Sequence, residues 1–157
     1  MKTKKLTSIL VLILIISFAY GTYTISLQDF KLSNNTNSYL AGMTWSRSLD
    51  KSFQVAQQEN KPVMIYFWAI WCQYCARFQS DTLGNPQIKS MLEKDFVLVA
   101  MDLDVDREVT QKYGVSYPPY VLFLDPKGNI IDRIAGAVDA ETFLPVATQV
   151  RNTVRGK

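Results

Sequence analysis

The chain has 157 residues, of which 48% are hydrophobic and 20% are charged, a composition that is ordinary for a globular protein with one domain. Its formal net charge of +3 equals the charge of Lys2, Lys4 and Lys5, so the rest of the chain is formally neutral and offers no basic stripe for nucleic acid. Histidine is absent from the sequence, which removes the commonest general base and the commonest metal ligand.

The N-terminus combines a basic start with a long uncharged segment, which runs from Leu6 to Gln28. A helix of about 20 residues rises roughly 30 Å, which is enough to cross the core of a bilayer. Residues 1–28 are therefore expected to form an N-terminal hydrophobic helix. It is either a signal anchor or a signal peptide that is cleaved after the small residues Ala19 and Gly21. Both alternatives export the rest of the chain, as a membrane-anchored domain or as a secreted or periplasmic one.

A stretch rich in Asn and Ser follows, residues 29–42, and its lack of periodicity predicts a linker. The folded domain is predicted to cover residues 43–157. Its first element is a predicted helix, because apolar residues recur at helical spacing from Trp45 to Ala56, and Pro62 lies beyond its end.

The rest of the chain alternates strands and helices, which indicates a parallel core. The last two strands are joined by the Gly-containing turn "PKGN", which indicates an antiparallel hairpin. The predicted fold class is α/β, with a mixed central β-sheet flanked by helices on both faces. The predicted strands are residues 63–69, 96–104, 120–125 and 130–136, and the later predicted helices are residues 72–83, 86–95, 106–114 and 139–154.

Both cysteines lie in the segment "FWAIWCQYCARF", between a predicted strand and a predicted helix. A disulfide between Cys72 and Cys75 would restrain little of the unfolded chain, so a purely structural role is disfavoured. A metal site needs about four ligands, whereas the chain offers two thiolates and no histidine. A Cys-x-x-Cys pair beside a βα pattern favours redox chemistry instead.

The spacing of the pair suits thiol–disulfide exchange, because residues i and i+3 share one face of a helix. Cys72 is expected at the helix N-terminus, where free backbone N–H groups and the helix dipole favour a thiolate. Cys72 is therefore predicted to attack, and Cys75, one turn further along, to resolve the mixed disulfide. Gln73 and Tyr74 between them carry no positive charge, so strong stabilisation of the thiolate is not expected.

The segments "VMIYFWAIWCQYC" and "YGVSYPPYVLFLDPKGNII", together with the order of the elements, resemble the thioredoxin superfamily over roughly residues 45–152. The sequence also has a short helix after the cysteine-bearing helix. In this feature it resembles the branch of the superfamily that contains secreted or periplasmic thioredoxin-like proteins and the C-terminal domains of DsbD-type thiol:disulfide interchange proteins. This resemblance implies a thioredoxin fold with a redox-active Cys72–Cys75 disulfide. It also implies a cis-proline that faces the pair, expected at Pro119 with Pro118 as the alternative, and both prolines are expected to bind substrate.

Three positions depart from the pattern of that family. The buried acid often found six residues before the first cysteine is replaced by Tyr66, and the buried lysine often found opposite falls at about Ala100. A tyrosine with a pKa of about 10 is a poor base at neutral pH, so Tyr66 is expected to be a core aromatic. Pro118 has no N–H to offer to an extended substrate, so pairing is expected through its carbonyl group.

Aromatic and acidic residues surround these motifs. Trp71, next to the first cysteine, is predicted to contact the substrate, whereas Trp68 is expected in the core. An acidic group lacks the glycine and the loop length of a calcium-binding hand and is predicted to be a solvated strand end. Its members are Asp102, Asp104, Asp106 and Glu108.

The sequence therefore predicts an extracytoplasmic thiol:disulfide oxidoreductase that needs no cofactor and no metal. Its expected partners are protein thiols and disulfides, a membrane or extracytoplasmic redox partner, and the membrane itself through the N-terminal segment, but not nucleic acid. A reductase direction is favoured, because a strongly oxidising pair needs a strongly stabilised thiolate. Two alternatives remain open: a redox-inert thioredoxin-like binding or chaperone module, and a dithiol protein that handles Cu(I).

Overall fold

The structure, a computed structural model, describes residues 13–18, 20 and 37–156. The chain divides into two compact units, Met1–Thr36 and Asn37–Lys157. In the first unit residues 13–18 and 20 are helical, and most of the hydrophobic helix predicted for residues 1–28 lies outside the described residues. No helix among the described residues is both long enough and apolar enough to cross a membrane.

The second unit is built on a mixed sheet with the strand order β1-β2-β4-β3-β5-β6. Strand β4 pairs in parallel with β2 and β3, whereas the pairs β1–β2, β3–β5 and β5–β6 are antiparallel. The strands are β1 (Asn37–Leu40), β2 (Met43–Ser46), β3 (Val63–Trp68), β4 (Val97–Asp102), β5 (Tyr120–Leu124) and β6 (Ile130–Ala135).

Helices connect these strands, and three of them begin after a residue whose side-chain oxygen caps the first turn. Ser48, Asn85 and Asp139 each accept a backbone N–H of the first helical turn, which satisfies donors that would otherwise lack a partner. The helices are α1 (Leu49–Glu59), α2 (Gln73–Arg77), α3 (Pro86–Asp95), α4 (Arg107–Lys112) and α5 (Ala140–Arg155), and a π-helical turn, Phe78–Leu83, continues α2 without a break.

Two apolar clusters cover the two faces of the sheet, as the continuous apolar sequence of β3 predicts. Alternate residues of β3 enter different clusters, with Met64 and Tyr66 on one face and Ile65 and Phe67 on the other. The first cluster is covered by α3, α5 and the π-helical turn, and the second by α1. This arrangement confirms the predicted thioredoxin fold with its mixed central sheet and helices on both faces.

The start of the domain differs from the prediction. Strand β1 lies within the predicted linker, residues 29–42, and pairs with β2 to form a hairpin at one edge of the sheet. Trp45, which the helical spacing assigns to the first helix, lies in β2 instead. Met43 and Trp45 are fully buried while Thr44 is exposed, so the true period here is two. The helix begins only at Leu49, after the Ser48 cap.

The helix predicted over residues 72–83 also differs from the structure in kind. It is α-helical only to Arg77 and then widens into the π-helical turn, which ends at Gly84. A Cβ atom on Gly84 would lie 2.6 Å from the carbonyl oxygen of Ser80. Only glycine therefore permits this close approach of the backbone without displacement.

Candidate active site

The two cysteines lie where β3 passes into α2 and are joined in a disulfide, with their Cα atoms 5.2 Å apart. Cys72 is the N-cap of α2, and its Sγ accepts the backbone N–H of Cys75 at 3.0 Å. Cys72 retains 7% of its exposure and Cys75 only 1%. Of the two cysteines, Cys72 is therefore the more exposed to solvent.

The surroundings of the disulfide are apolar. Cys72, Cys75 and Ala69 form a small buried cluster, against which Trp68 and Leu103 pack. The backbone N–H of Leu103 donates to the carbonyl oxygen of Trp68 at 2.9 Å, which holds the loop after β4 against the cysteine-bearing segment. Trp68 is half-buried and contacts the larger core as well, as predicted for a core residue.

Trp71 is 61% exposed and stands next to Cys72. Its indole N–H donates to Oδ2 of Asp104 at 2.7 Å, a contact that sequence reasoning missed because the residues lie 33 positions apart. Ile70, with 85% exposure, adds a second large apolar side chain beside the pair. The predicted contact residue is thus presented to solvent in one orientation, fixed by a carboxylate.

The acidic group at the end of β4 forms a network of hydrogen bonds. The backbone N–H of Asp104 donates to Oδ1 of Asp102 at 2.9 Å, and that of Asp102 donates to Oδ2 of Asp106 at 2.7 Å. Arg47 pairs with Oδ1 of Asp106 at 3.5 Å. No group of three or more metal-ligating side chains is found among the described residues.

The peptide bond between Pro118 and Pro119 is cis, which confirms the cis bond expected at Pro119. Pro119 is buried, and its carbonyl oxygen accepts the N–H of Gly136 at 2.9 Å, so the loop is bound to the end of β6. Pro118 is half-buried, and within residues 37–156 its carbonyl oxygen accepts no hydrogen bond. Tyr117 beside it is 53% exposed and rests edge-on against Tyr120, with ring centroids 6.1 Å apart.

Tyr66 occupies the interior position where the family resemblance led us to expect an acid, and it forms an uncharged pair with Gln79. Tyr66 is fully buried between Trp45 and Phe78, whose ring centroids lie 5.7 and 5.8 Å from its own. Gln79, which sequence reasoning did not identify, donates its side-chain N–H to the Tyr66 hydroxyl at 3.2 Å. Burial raises the pKa of Tyr66 to about 12, and the bond from Gln79 opposes that rise only in part. Tyr66 is therefore the core aromatic that the sequence predicts.

Comparison with known proteins decides the family. A family model described as a thioredoxin-like domain matches residues 49–151. The chain belongs to this thioredoxin-like family. The matched residues include Cys72 and Cys75, which are joined in the disulfide.

The relatives of this thioredoxin-like domain include DsbD-type proteins. The chain is 33% identical over 109 residues to the thiol:disulfide interchange protein DsbD of Pseudomonas fluorescens. The aligned region covers 66% of this chain and 18% of that protein. The DsbD protein of Vibrio vulnificus is also 33% identical, over 110 residues, with the same two coverages. The chain thus spans about a fifth of the length of the curated relatives it matches.

Solved structures agree with this assignment. A thioredoxin from Thermus thermophilus is similar with a TM-score of 0.61 and 28% identity, over 66% of this chain and 84% of that one. The oxidised C-terminal domain of DsbD from Neisseria meningitidis has a TM-score of 0.55 and 22% identity, over 64% of this chain and 90% of that one. The second likeness shows a shared fold.

Proposed function

We propose that the chain is an extracytoplasmic thiol:disulfide oxidoreductase that reduces disulfides of client proteins. The observation that carries the proposal is the position of the disulfide at the start of a helix. Cys72 there is the more exposed of the two cysteines, and its Sγ already accepts a backbone N–H. In the reduced protein this N–H and the free donors of the first turn would stabilise a thiolate on Cys72.

The reaction proceeds by two exchanges that conserve electrons. The Cys72 thiolate attacks one sulfur of the client disulfide, and the other client sulfur leaves as a thiolate that takes up a proton. The Cys75 thiolate then attacks Sγ of Cys72, which releases the second client sulfur and forms the disulfide seen in the structure. The client gains two electrons and the Cys72–Cys75 pair loses two, so a dithiol partner must reduce the pair again.

The client would bind across Trp71, whose exposed side chain stands next to Cys72, and along the cis-proline loop, in which Pro118 is half-buried and Pro119 is buried. An apolar surface of this kind suits extended or unfolded protein segments, whose own apolar groups are accessible. The free carbonyl oxygen of Pro118 is available to pair with the client backbone, whereas that of Pro119 is already bound by Gly136.

The direction and the location belong to the same proposal. The neutral side chains of Gln73 and Tyr74 support a reducing pair over a strongly oxidising one, and similarity to DsbD proteins supports an extracytoplasmic redox partner. Residues 1–28 would act as a signal anchor or signal peptide, ahead of a linker. Alkaline carbonate washing tests this part: an anchored protein stays in the membrane pellet, whereas a soluble mature protein that begins near Thr22 contradicts the anchor.

The chemistry is tested with two single variants and a protein substrate such as insulin. Cys72→Ala should abolish disulfide reduction, because the only cysteine that remains, Cys75, is buried. Cys75→Ala should accumulate mixed disulfides with clients, because attack survives and resolution does not. Trapping by Cys72→Ala but not by Cys75→Ala would reverse the two roles. A doubly substituted Cys72→Ser, Cys75→Ser protein that fully supports function in the cell would reject redox chemistry in favour of a binding module.

A further inference from the structure

A continuous series of polar contacts runs from Arg47, just after β2, to the indole of Trp71. Arg47 pairs with one carboxylate oxygen of Asp106 at 3.5 Å, and the other oxygen accepts the backbone N–H of Asp102 at 2.7 Å. The Asp102 carboxylate in turn accepts the backbone N–H of Asp104 at 2.9 Å. The Asp104 carboxylate then accepts the Trp71 indole N–H at 2.7 Å.

The loop that carries these carboxylates forms backbone hydrogen bonds to Asp102 and to the cysteine-bearing segment. The carbonyl oxygen of Asp102 accepts the N–H groups of Val105 at 3.2 Å and of Asp106 at 2.7 Å. One residue along, Leu103 bonds to the carbonyl oxygen of Trp68 and packs against the disulfide cluster. Asp104 is therefore presented to Trp71 by a rigid support.

The indole of Trp71 has little else to orient it. Its side chain is 61% exposed, and no contact with another aromatic ring is found for it among the described residues. A charged acceptor at 2.7 Å makes one of the stronger hydrogen bonds available to an indole N–H. The hydrogen bond to Asp104 thus sets the orientation of the Trp71 indole beside Cys72.

We infer that Asp104 is a positioning residue for client binding, and that Arg47 acts on the same tryptophan through Asp106. The inference rests on the proposed reduction of client proteins, in which Trp71 is a contact surface. Asp104 touches neither sulfur, so its contribution lies in binding the client and leaves the exchange steps unchanged. Arg47 has a smaller effect of the same kind, because its ion pair is partly exposed and acts on Trp71 through three further hydrogen bonds.

The test compares Asp104→Ala with Asp104→Asn, whose amide oxygen still accepts the indole N–H. In steady-state reduction of a protein disulfide, Asp104→Ala should raise KM about three- to tenfold with kcat unchanged, as expected for the loss of one ordinary hydrogen bond at a largely exposed side chain. Asp104→Asn should stay within about twofold of the wild type. Neither variant should change the rate with a small neutral linear disulfide such as bis(2-hydroxyethyl) disulfide, which does not need the tryptophan surface.

Two further variants separate positioning from general structural damage. In a Trp71→Phe background, which lacks the indole donor, Asp104→Ala should have no additional effect on KM. Arg47→Gln should raise KM by about twofold, and this increase should vanish when Asp104→Ala is also present. Lys51→Gln is the charge-matched control, because Lys51 is exposed on α1 and forms no ion pair within the described residues.

Acrylamide quenching gives a readout that does not depend on turnover. Trp45 is buried and Trp68 half-buried, so an increase in quenching reports mainly on Trp71. Asp104→Ala should increase quenching, and Asp104→Asn should not. The inference is overturned by unchanged KM in Asp104→Ala, by equal losses in both Asp104 variants, or by an Arg47 effect that persists in the Asp104→Ala background. A wild-type protein that reduces no protein disulfide rejects the proposed function instead, whatever the quenching shows.

Discussion

Tyr66 lies directly opposite Ala100 in the parallel pair of β3 and β4, and its ring packs against Phe78 at the start of the π-helical turn. Both positions are fully enclosed, and neither carries a charge at neutral pH. The Tyr66 hydroxyl accepts a hydrogen bond from Gln79, and burial raises its pKa to about 12. The interior therefore offers no base at this position to remove a proton from Cys75.

The first prediction is that the hydroxyl of Tyr66 takes no part in disulfide exchange. Tyr66→Phe keeps the ring between Trp45 and Phe78 and should change the rate of protein-disulfide reduction by no more than about twofold between pH 6 and 9, because a phenol stays protonated there. Stopped-flow kinetics across this pH range provide the measurement. A tenfold slower resolution step, or a changed pH profile, would show that Tyr66 handles a proton after all.

A second prediction follows from the same raised pKa. The folded protein holds the Tyr66 proton more tightly than the unfolded chain, so the contribution to stability is complete below about pH 10 and is lost as pH rises toward 12. The loss amounts to at most about 1.4 kcal/mol per pH unit in that window. Urea unfolding of the oxidised protein should therefore show a shallower alkaline decline in Tyr66→Phe. Burial also raises the pKa of Tyr113, which contributes equally to both proteins.

Much of the fold could be predicted from sequence because its strands are buried on both faces. The apolar runs indicate the strands β3, β4 and β5. The caps and glycines between these runs indicate where the helices and turns begin and end. The hairpin of β1 and β2 could not be predicted, because Met43 and Trp45 alternate over only three residues. The same tryptophan also fits a helical spacing with Leu49, and only packing against Tyr66 decides between the two.

The candidate site was predictable where neighbouring residues define it. The spacing of Cys72 and Cys75 and the sequence around Pro119 indicated both elements, and the disulfide and the cis bond are present in the structure. The bond from Trp71 to Asp104 was not predictable, since it depends on how the loop after β4 folds against the one after β3. No local signal distinguishes Asp104 from its acidic neighbours.

The third prediction concerns Asp95, a buried carboxylate on α3 that binds the last helix. Arg151 approaches it at 3.4 Å and Arg155 at 2.6 Å, while the Asp95 side chain is only 5% exposed. Removing one arginine leaves the other to compensate the charge and should cost about 1 kcal/mol or less. Removing both leaves a buried, unpaired carboxylate and should cost about 3 kcal/mol or more.

Urea unfolding of the two single variants and the double variant tests this pair of contacts. The cost in the double variant should exceed the sum of the single costs, because each arginine partly replaces the other. Additive costs would mean that the two arginines act independently. Disulfide reduction should be unchanged in the single variants.

The fourth prediction concerns Gly84, at the end of the π-helical turn. Gly84→Ala would place a Cβ atom against the carbonyl oxygens of Ser80, at 2.6 Å, and Gln79, at 3.0 Å. Backbone atoms cannot move aside as a flexible side chain can, so the turn must shift, at a cost of about 1–3 kcal/mol.

The control variant is Gly114→Ala, and thermal unfolding of the two variants separates the steric clash from the cost of a backbone conformation that alanine disfavours. A Cβ atom on Gly114 meets nothing within 4 Å, although its positive φ of 67° still disfavours alanine. A smaller loss in Gly84→Ala than in Gly114→Ala would contradict a clash.

The last prediction concerns the residues between the cysteines, which decide how strongly a thiolate on Cys72 is stabilised. Gln73 and Tyr74 are exposed and neutral, so the helix N-terminus and the Cys75 N–H are the stabilising groups within this turn. We therefore expect a reduction potential nearer to about −270 mV, as in thioredoxin, than to about −120 mV, as in a strong oxidant. Gln73→His should raise the potential at pH 6, where the imidazole carries a proton, and much less at pH 8. Equilibration with a glutathione series at both pH values provides the measurement, and Gln73→Phe is the uncharged control. A wild-type potential near −120 mV, or an equal shift in the two variants, would show that charge between the cysteines does not set the potential.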